Sequence, residues 1–236
     1  MIHAGQNKKN TQETFFMKNV SLVLCRIIME PLNKILTSAV ELFRQYGMKA
    51  ITMDDIARRA GISKKTLYQQ FANKNEVVTE SVQWYKEHMC EVCDAQMADS
   101  ENAIEAMVKL LAFMDNMNKE MNPMLLFELQ RYFPDAYKAF REQLERRDVG
   151  MIRENILQGI EEGLYRPEVN ADLMARFRLE SSLMILHPNL LVNDRNGLIS
   201  VALEIGEHFM YGIMTQKGVK LYHKYKDKHI KQEVKS

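Results

Sequence analysis

The sequence predicts an all-α protein, with a compact three-helix unit near the N-terminus followed by a larger helical body. Three observations predict this. Only 10 glycines and 5 prolines punctuate 236 residues, so long uninterrupted elements are expected. Apolar residues recur at i, i+3, i+4 and i+7 along most of the chain, the spacing of one buried helix face. No stretch alternates apolar and polar residues as a half-buried strand would.

The elements follow in order. Leu32, Ile35, Leu36, Ala39, Val40 and Phe43 share one face of a helix from Pro31 to Tyr46. Proline suits its first turn, and Gly47 suits its end. Thr52 caps a second helix, with Asp54 and Asp55 at its positive end and Ile56, Ala57 and Ala60 inward. Gly61 turns the chain, and Ser63 caps a third helix ending near Phe71. Asn73 caps a long fourth helix carrying Trp84, Tyr85 and His88. Further helices are expected from Asn102 to Glu120, Pro123 to Arg131, Asp135 to Glu162 and Ala171 to Leu186. Pro188 disfavours helical geometry at His187, and a last helix runs from Arg195 to Thr215.

Charge is unevenly placed, although the formal net charge is only +1. Between Pro31 and Glu76, Lys34, Arg44, Lys49, Arg58, Arg59, Lys64, Lys65 and Lys74 face only Glu41, Asp54, Asp55 and Glu76. From Val77 to Gln216 acids outnumber bases. A basic end on an acidic body suits an end that meets phosphates. The three cysteines, Cys25, Cys90 and Cys93, make no disulfide framework, which suits a reducing cytoplasm. The apolar run within Asn19 to Met29 is broken by Arg26 and falls short of the ~20 residues that span a bilayer. Lys8, Lys9 and Lys18 precede it as in a secretory signal, but no small-x-small cleavage site follows. The favoured expectation is an upstream extension, with Met29 a functional start.

The second and third helices carry the chemistry. The third buries only Ile62, Leu67 and Phe71, leaving Lys64, Lys65, Thr66, Tyr68, Gln69 and Gln70 outward. Lysine reads guanine, glutamine reads adenine, the threonine methyl meets thymine, and tyrosine donates to phosphate. A short helix with that face, after a tight turn, suits the major groove. Thr52 and Lys74 are expected to add phosphate contacts beside it.

The run from Thr52 to Lys74, with IA at 56–57, AGIS at 60–63, TLYQQF at 66–71 and NK at 73–74, resembles the DNA-binding domain of TetR-family transcriptional regulators. The preceding ILTSAVELFRQYGMKAIT is similar to that family's first helix and glycine turn, so the resemblance spans about Ile35 to Val78. It implies base or phosphate contacts from Ser63, Lys64, Lys65, Thr66, Tyr68 and Gln69, and a backbone grip from Thr52 and Lys74. LQRYFPDAYKAF and QGIEEGLYRPEVN resemble, less specifically, elements of the family's C-terminal domains. The implied body holds a ligand pocket, and its last two helices pack on a twin subunit. Ala202, Ile205, Gly206 and Phe209 are the expected dimer contacts, since Ala202 and Gly206 permit close helix approach. A twofold dimer reads a palindromic operator.

The pocket is less legible. Met107, Met114, Met117, Met121 and Met124 cluster mid-chain, with Met184 later, and thioethers suit either an adaptable pocket or a core. Trp84, Tyr85, His88, Met114, Phe127 and Met184 are candidate walls. No charge cluster marks an ionic ligand, so a mostly apolar small molecule is expected. His88, Cys90 and Cys93 invite a metal, but His88 projects from a different side and no second Cys/His pair exists at zinc spacing. No metal and no cofactor is expected. No glycine phosphate loop, G-x-S-x-G or H-E-x-x-H appears, so no enzyme is expected either.

The resulting expectation has four parts: an extension at 1–30, a helix-turn-helix head at 31–76, a ligand-binding and dimerisation body at 77–216, and a basic tail at 217–236. The function expected is a cytoplasmic, homodimeric, ligand-responsive repressor with no membrane partner. A constitutive or architectural DNA-binding protein, or a helical protein-interaction module, stays open at this point.

Overall fold

The structure, a computed structural model, describes residues 31–119, 122, 124–184 and 195–230; at 117–119, 195–200 and 202 it describes the backbone alone. The extension at 1–30 and the last residues, 231–236, lie outside the described residues. The helices are α1 (31–46), α2 (Met53–Ala60), α3 (Lys64–Gln70), α4 (Lys74–Met97), α5 (Ala103–Lys119) and α6 (Leu125–Tyr132). They continue with α7 (Pro134–Gln143), α8 (Val149–Glu161), α9 (Ala171–Met184), α10 (Arg195–Ile213) and α11 (Gln216–His229). Among the described residues the sole strand-like pairing is an isolated bridge between Tyr165 and Met214.

Two apolar cores organise these helices. The first is the head's: Ile35, Ala39, Phe43, Ile56, Ala60, Leu67, Phe71, Val77 and Val78 are all buried in it. Leu125, Leu129, Phe133 and Ala136, from α6 and α7, complete it. The head therefore does not pack alone; two body helices supply part of its apolar interior. The second core joins α5, α8, α9, α10 and α11 around Ile104, Met107, Val108, Ile156, Tyr165, Met210 and Tyr222.

Three expectations need correction. The stretch from Asp135 to Glu162 is helical almost to its end, but it is not regular α-helix throughout. α7 and α8 are joined by a π-helical turn, Leu144–Asp148, closed by the Val149 N–H donating to the Leu144 carbonyl. One extra residue in a turn leaves the apolar spacing on either side intact, so periodicity does not reveal it. The turn is fastened to α4 where Lys86 meets Asp148 at 2.7 Å, and Arg147 pairs with Asp94 beside it.

The second correction concerns the basic C-terminal run, which is no frayed tail over its described part. It forms α11, capped by Thr215, with Tyr222 and Tyr225 buried. Gly218 lets it dock: a Cβ there would lie 2.3 Å from the Leu164 carbonyl oxygen. The Tyr225 hydroxyl donates to Glu101 and accepts from Asn102, while Lys228 and His229 both meet the buried Glu105 at 3.0 Å. Burial works to raise the Glu105 pKa, but the Glu101 N–H, Lys228 and His229 outweigh it and hold the carboxyl near 2. The lysines mask this face, because only every third or fourth residue of α11 needs to be apolar.

The third correction concerns the small residues of α10. Gly206 serves a contact inside the subunit: a Cβ would lie 2.5 Å from Leu111 Cδ2 of α5. Phe209 is 4% exposed within the same core. Neither has surface left for a twin chain. Ile205 is half-buried, and the side chain of Ala202 lies outside the described residues.

Candidate nucleic-acid interface

The head is a set of short helices held by their caps. Thr52 and Asp55 form a reciprocal capping box: the Asp55 N–H donates to the Thr52 hydroxyl at 3.2 Å, and the Thr52 N–H donates to the Asp55 carboxylate at 3.0 Å. Hydrogen bonds from the Thr52 side chain and backbone hold the Asp55 carboxyl below its ordinary range. Gly61 closes α2 at φ +65°, a left-handed geometry that a side chain would strain. Ser63 then caps α3, accepting the Thr66 N–H at 3.0 Å, with the two hydroxyls 2.8 Å apart. Asn73 caps α4 by accepting the Glu76 N–H, and the Glu76 carboxylate accepts the N–H of the preceding Ala72.

This fixes what α3 presents. Leu67 is fully buried and Phe71 is 4% exposed, pinning one side. Lys65, Tyr68, Gln69 and Gln70 are exposed. Lys65, Tyr68 and Gln69 stand at i, i+3 and i+4, one face of the helix. Lys64 pairs with Asp54 of α2, both partly exposed, so it competes between that carboxylate and a ligand. Asp54 is thus a partner of the recognition helix.

Two expected phosphate contacts are corrected. The N–H and hydroxyl of Thr52 are both engaged by Asp55. Lys74 turns inward: its amine donates to the Lys49 carbonyl at 3.0 Å and lies 5.7 Å from the Phe133 ring centroid. Burial lowers its pKa, against the opposing pull of Glu128 and Asp55. Lys74 is half-buried because it braces the start of α4 against the α1–α2 turn.

That brace belongs to a head–body joint not visible in the local sequence. Glu128 of α6 accepts the Lys49 N–H at 3.0 Å, and a Cβ on Gly47 would lie 2.9 Å from the same carboxylate. Lys49 Nζ donates to the Tyr132 hydroxyl at 3.1 Å and stands 4.5 Å from that ring's centroid. The Asn122 N–H donates to the Arg44 carbonyl. These partners lie about eighty residues apart in sequence, so no helical period or cap rule links them.

The candidate pocket walls are dispersed. Trp84 stacks on His88 at 5.7 Å and packs against the head's core, while His88 itself is exposed. Tyr85 lies beneath the Arg44 guanidinium. Phe127 is half-buried. Met114 and Met184 are exposed in the subunit, so they are not interior walls; Met107 is the methionine of that cluster that enters the core. The side chain of Met117, and Met121, lie outside the described residues. Cys90 and Cys93 are buried; burial, then Asp94, pushes the Cys93 thiol up to about 11, which disfavours the reactive thiolate. Among the described residues no three His, Cys, Asp or Glu side chains gather as metal ligands. No described helix is long and apolar enough to cross a membrane.

A capped helix pair presenting a lysine, a tyrosine and a glutamine from one face, on a helical body, defines a helix-turn-helix DNA-binding protein. Residues 35–80 match the family model for bacterial regulatory proteins of the tetR family. The chain is 28% identical over 147 residues to the transcriptional repressor KstR2 of Mycobacterium tuberculosis, covering 61% of this chain and 74% of the relative. Its fold is similar to a TetR transcription regulator of Haloarcula marismortui, at TM-score 0.69 and 16% identity, over 79% of this chain and 100% of the other. It is also similar to the regulator FadR of Bacillus subtilis, at TM-score 0.62 and 16% identity, over 77% and 99%. The similarity thus places a tetR-family DNA-binding region at residues 35–80 on a helical body with a fold like that of TetR regulators, and the chain is a DNA-binding transcriptional regulator.

Proposed function

We propose that this protein is a cytoplasmic repressor that occupies a palindromic operator as a homodimer and is released by a largely apolar small molecule. The observation that carries the reading is the outward face of α3. Lys65, Tyr68 and Gln69 are exposed together, while the caps around them are satisfied within the head. A face so held loses little freedom on meeting a groove. Lys65 and Gln69 read base edges, Tyr68 donates to phosphate, and Lys64 joins when it leaves Asp54. Ser63 and Thr66 position the helix start. The working division places the reading head at 31–76 and the effector body at 77–216, which α11 extends to His229.

A twin chain is supported by α9. Leu173, Phe177 and Met184 are 58%, 54% and 52% exposed, and they recur along one helix at 173, 177 and 184. Large apolar side chains lined up on an outward helix side, interleaved with the exposed Asp172, Arg176 and Glu180, suit a second copy. This moves the expected dimer surface from Gly206 and Phe209 of α10 to the outer face of α9. A twofold pair would set the recognition helices about one DNA turn, ~34 Å, apart or somewhat more.

The effector class draws support from relatives. KstR2 is described as a ketosteroid transcriptional regulator, and the FadR structure holds stearoyl-CoA. A body whose core is lined by Met107, Leu111, Phe209 and Met210 suits an apolar skeleton of that kind. Release follows if the effector prefers a body in which the head–body joint at Glu128, Lys49 and Lys74 is repositioned; equal affinity for both states would shift nothing. A constitutive DNA-binding protein lacks such a preference, and a protein-interaction module has no use for the α3 face.

The test is a protection footprint of the purified protein on the intergenic DNA upstream of its own coding sequence. The expected result is a protected inverted repeat with symmetric edges. Protection of a single half-site, or uniform coating without edges, overturns the palindrome and the dimer.

A further inference from the structure

α9 carries a charged residue at a position where an apolar one would pack. Arg178 is only 8% exposed, flanked by the buried Leu179 and Ser181. Its guanidinium lies 5.8 Å from the Phe209 ring centroid on α10. Gly206, one turn earlier on α10, gives it room: a Cβ there would stand 3.6 Å from Arg178 Nη2. The same Cβ would meet Leu111, so the guanidinium lies where α9, α10 and α5 converge.

What sets Arg178 apart is that no described residue supplies a counter-charge. Two other buried or half-buried charges are compensated. Glu105 has Lys228, His229 and the Glu101 N–H, and Lys86 has Asp148. Among the described residues, its guanidinium meets the Phe209 ring, and no carboxylate forms an ion pair with it. Burial alone drags its pKa down to about 10, with no acid opposing it. A buried cation without a partner is costly, and one aromatic face offsets only part of that cost. Guanidinium presents a planar fork of donors that matches a carboxylate in two parallel hydrogen bonds.

We propose that Arg178 is the anion receptor of the effector site, and that the effector is an amphiphile with one carboxylate head and an apolar body. The carboxylate takes the fork of Arg178, and the apolar part lies against Leu111 and Phe209. A phosphate dianion would call for a second cation, and no described ion pair or ring contact places one at Arg178. This amends the expectation of a ligand without ionic character, and it rests on the reading that an effector enters the helical body.

The test uses the full chain, with dodecanoate and 1-dodecanol as probes below their micellar concentrations, on wild type, Arg178→Met and Arg178→Lys. Titration calorimetry gives affinity, thermal denaturation gives Tm, and anisotropy on the footprinted DNA runs in parallel. Wild type should bind dodecanoate at least tenfold more tightly than the alcohol. Arg178→Met should erase that preference, and Arg178→Lys should keep part of it. Without ligand, Arg178→Met should melt no lower than wild type, because it removes an uncompensated charge. Equal binding of acid and alcohol, or binding of neither, overturns the proposal, as does a Tm several degrees lower in Arg178→Met, which would make Arg178 a packing strut. DNA binding separates the two readings: intact DNA binding with no carboxylate preference sinks the anion site alone, whereas absent DNA binding sinks the regulator.

Discussion

The head and the body treat polar groups in opposite ways. In the head, polar side chains close on their neighbours: Thr52 on Asp55, Ser63 on Thr66, Asn73 on Glu76 and Arg59 on Glu41. What is left open is outside, on Lys65, Tyr68 and Gln69. In the body the surface is laced with ion pairs, yet Arg178 lies inside with no counter-charge among the described residues. A finished interior with a reactive surface suits recognition of a large rigid partner such as a duplex. An unfinished interior suits a small molecule that supplies the missing charge. The joint between them, at Lys49, Lys74 and Glu128, is polar and lies between the two cores, where small rearrangements cost less than repacking either.

Four substitutions break or sharpen this contrast, from the largest expected effect to the smallest. Leu67→Ala empties the fully buried post under the recognition face and should destabilise the head by about 2–5 kcal/mol. Thermal unfolding should show it, with specific DNA binding lost. Gln69→Ala touches only the open face, and should cost about 1–3 kcal/mol of operator affinity while relaxing preference at one base per half-site. An unchanged Tm with reduced discrimination, read by anisotropy on single-base variants, is the expected pairing.

Glu105→Gln tests the finished part of the body and should cost about 1–3 kcal/mol by weakening the Lys228 and His229 contacts. The sign of the pH effect follows from its lowered pKa. Wild-type stabilisation is complete above the ordinary value of 4.5 and is lost as pH falls toward 2, so the Tm gap between wild type and Glu105→Gln should close over that window. Lys74→Ala should be mildest for DNA binding, because its amine faces Lys49 and Phe133. The salt slope of binding should stay unchanged, whereas Lys65→Ala should lower it by about one for each phosphate the lysine neutralises. A flattened slope in Lys74→Ala would return that lysine to the DNA.

The same contrast explains what can be read from the sequence. Caps act over three residues, so Thr52, Ser63, Asn73 and Gly61 announce the head's helices with nearly correct ends. The outward face of α3 follows from a period of 3.6, and the family resemblance rests on the same residues. Lys74 reads as a phosphate contact because the carbonyl it meets belongs to Lys49 and the ring to Phe133, both distant in sequence. Gly206 and Phe209 read as contacts to a twin subunit because helical spacing shows that a face is buried, without showing against what. α11 reads as a tail because lysines surround Tyr222 and Tyr225, and its docking depends on Gly218 meeting Leu164. Arg178 carries no sequence signal at all, since an arginine on a helix is ordinary until its burial is seen.

The most direct test of the central claim is fluorescence anisotropy of the full chain on its upstream DNA and on a scrambled duplex, at near-physiological salt. The same titration is run on Lys65→Ala/Gln69→Ala. The account predicts tight binding to the upstream DNA alone, with the double substitution reducing it to the scrambled level at unchanged Tm. Equal binding of wild type and variant to both duplexes would contradict it, because the α3 face would then not be what reads DNA.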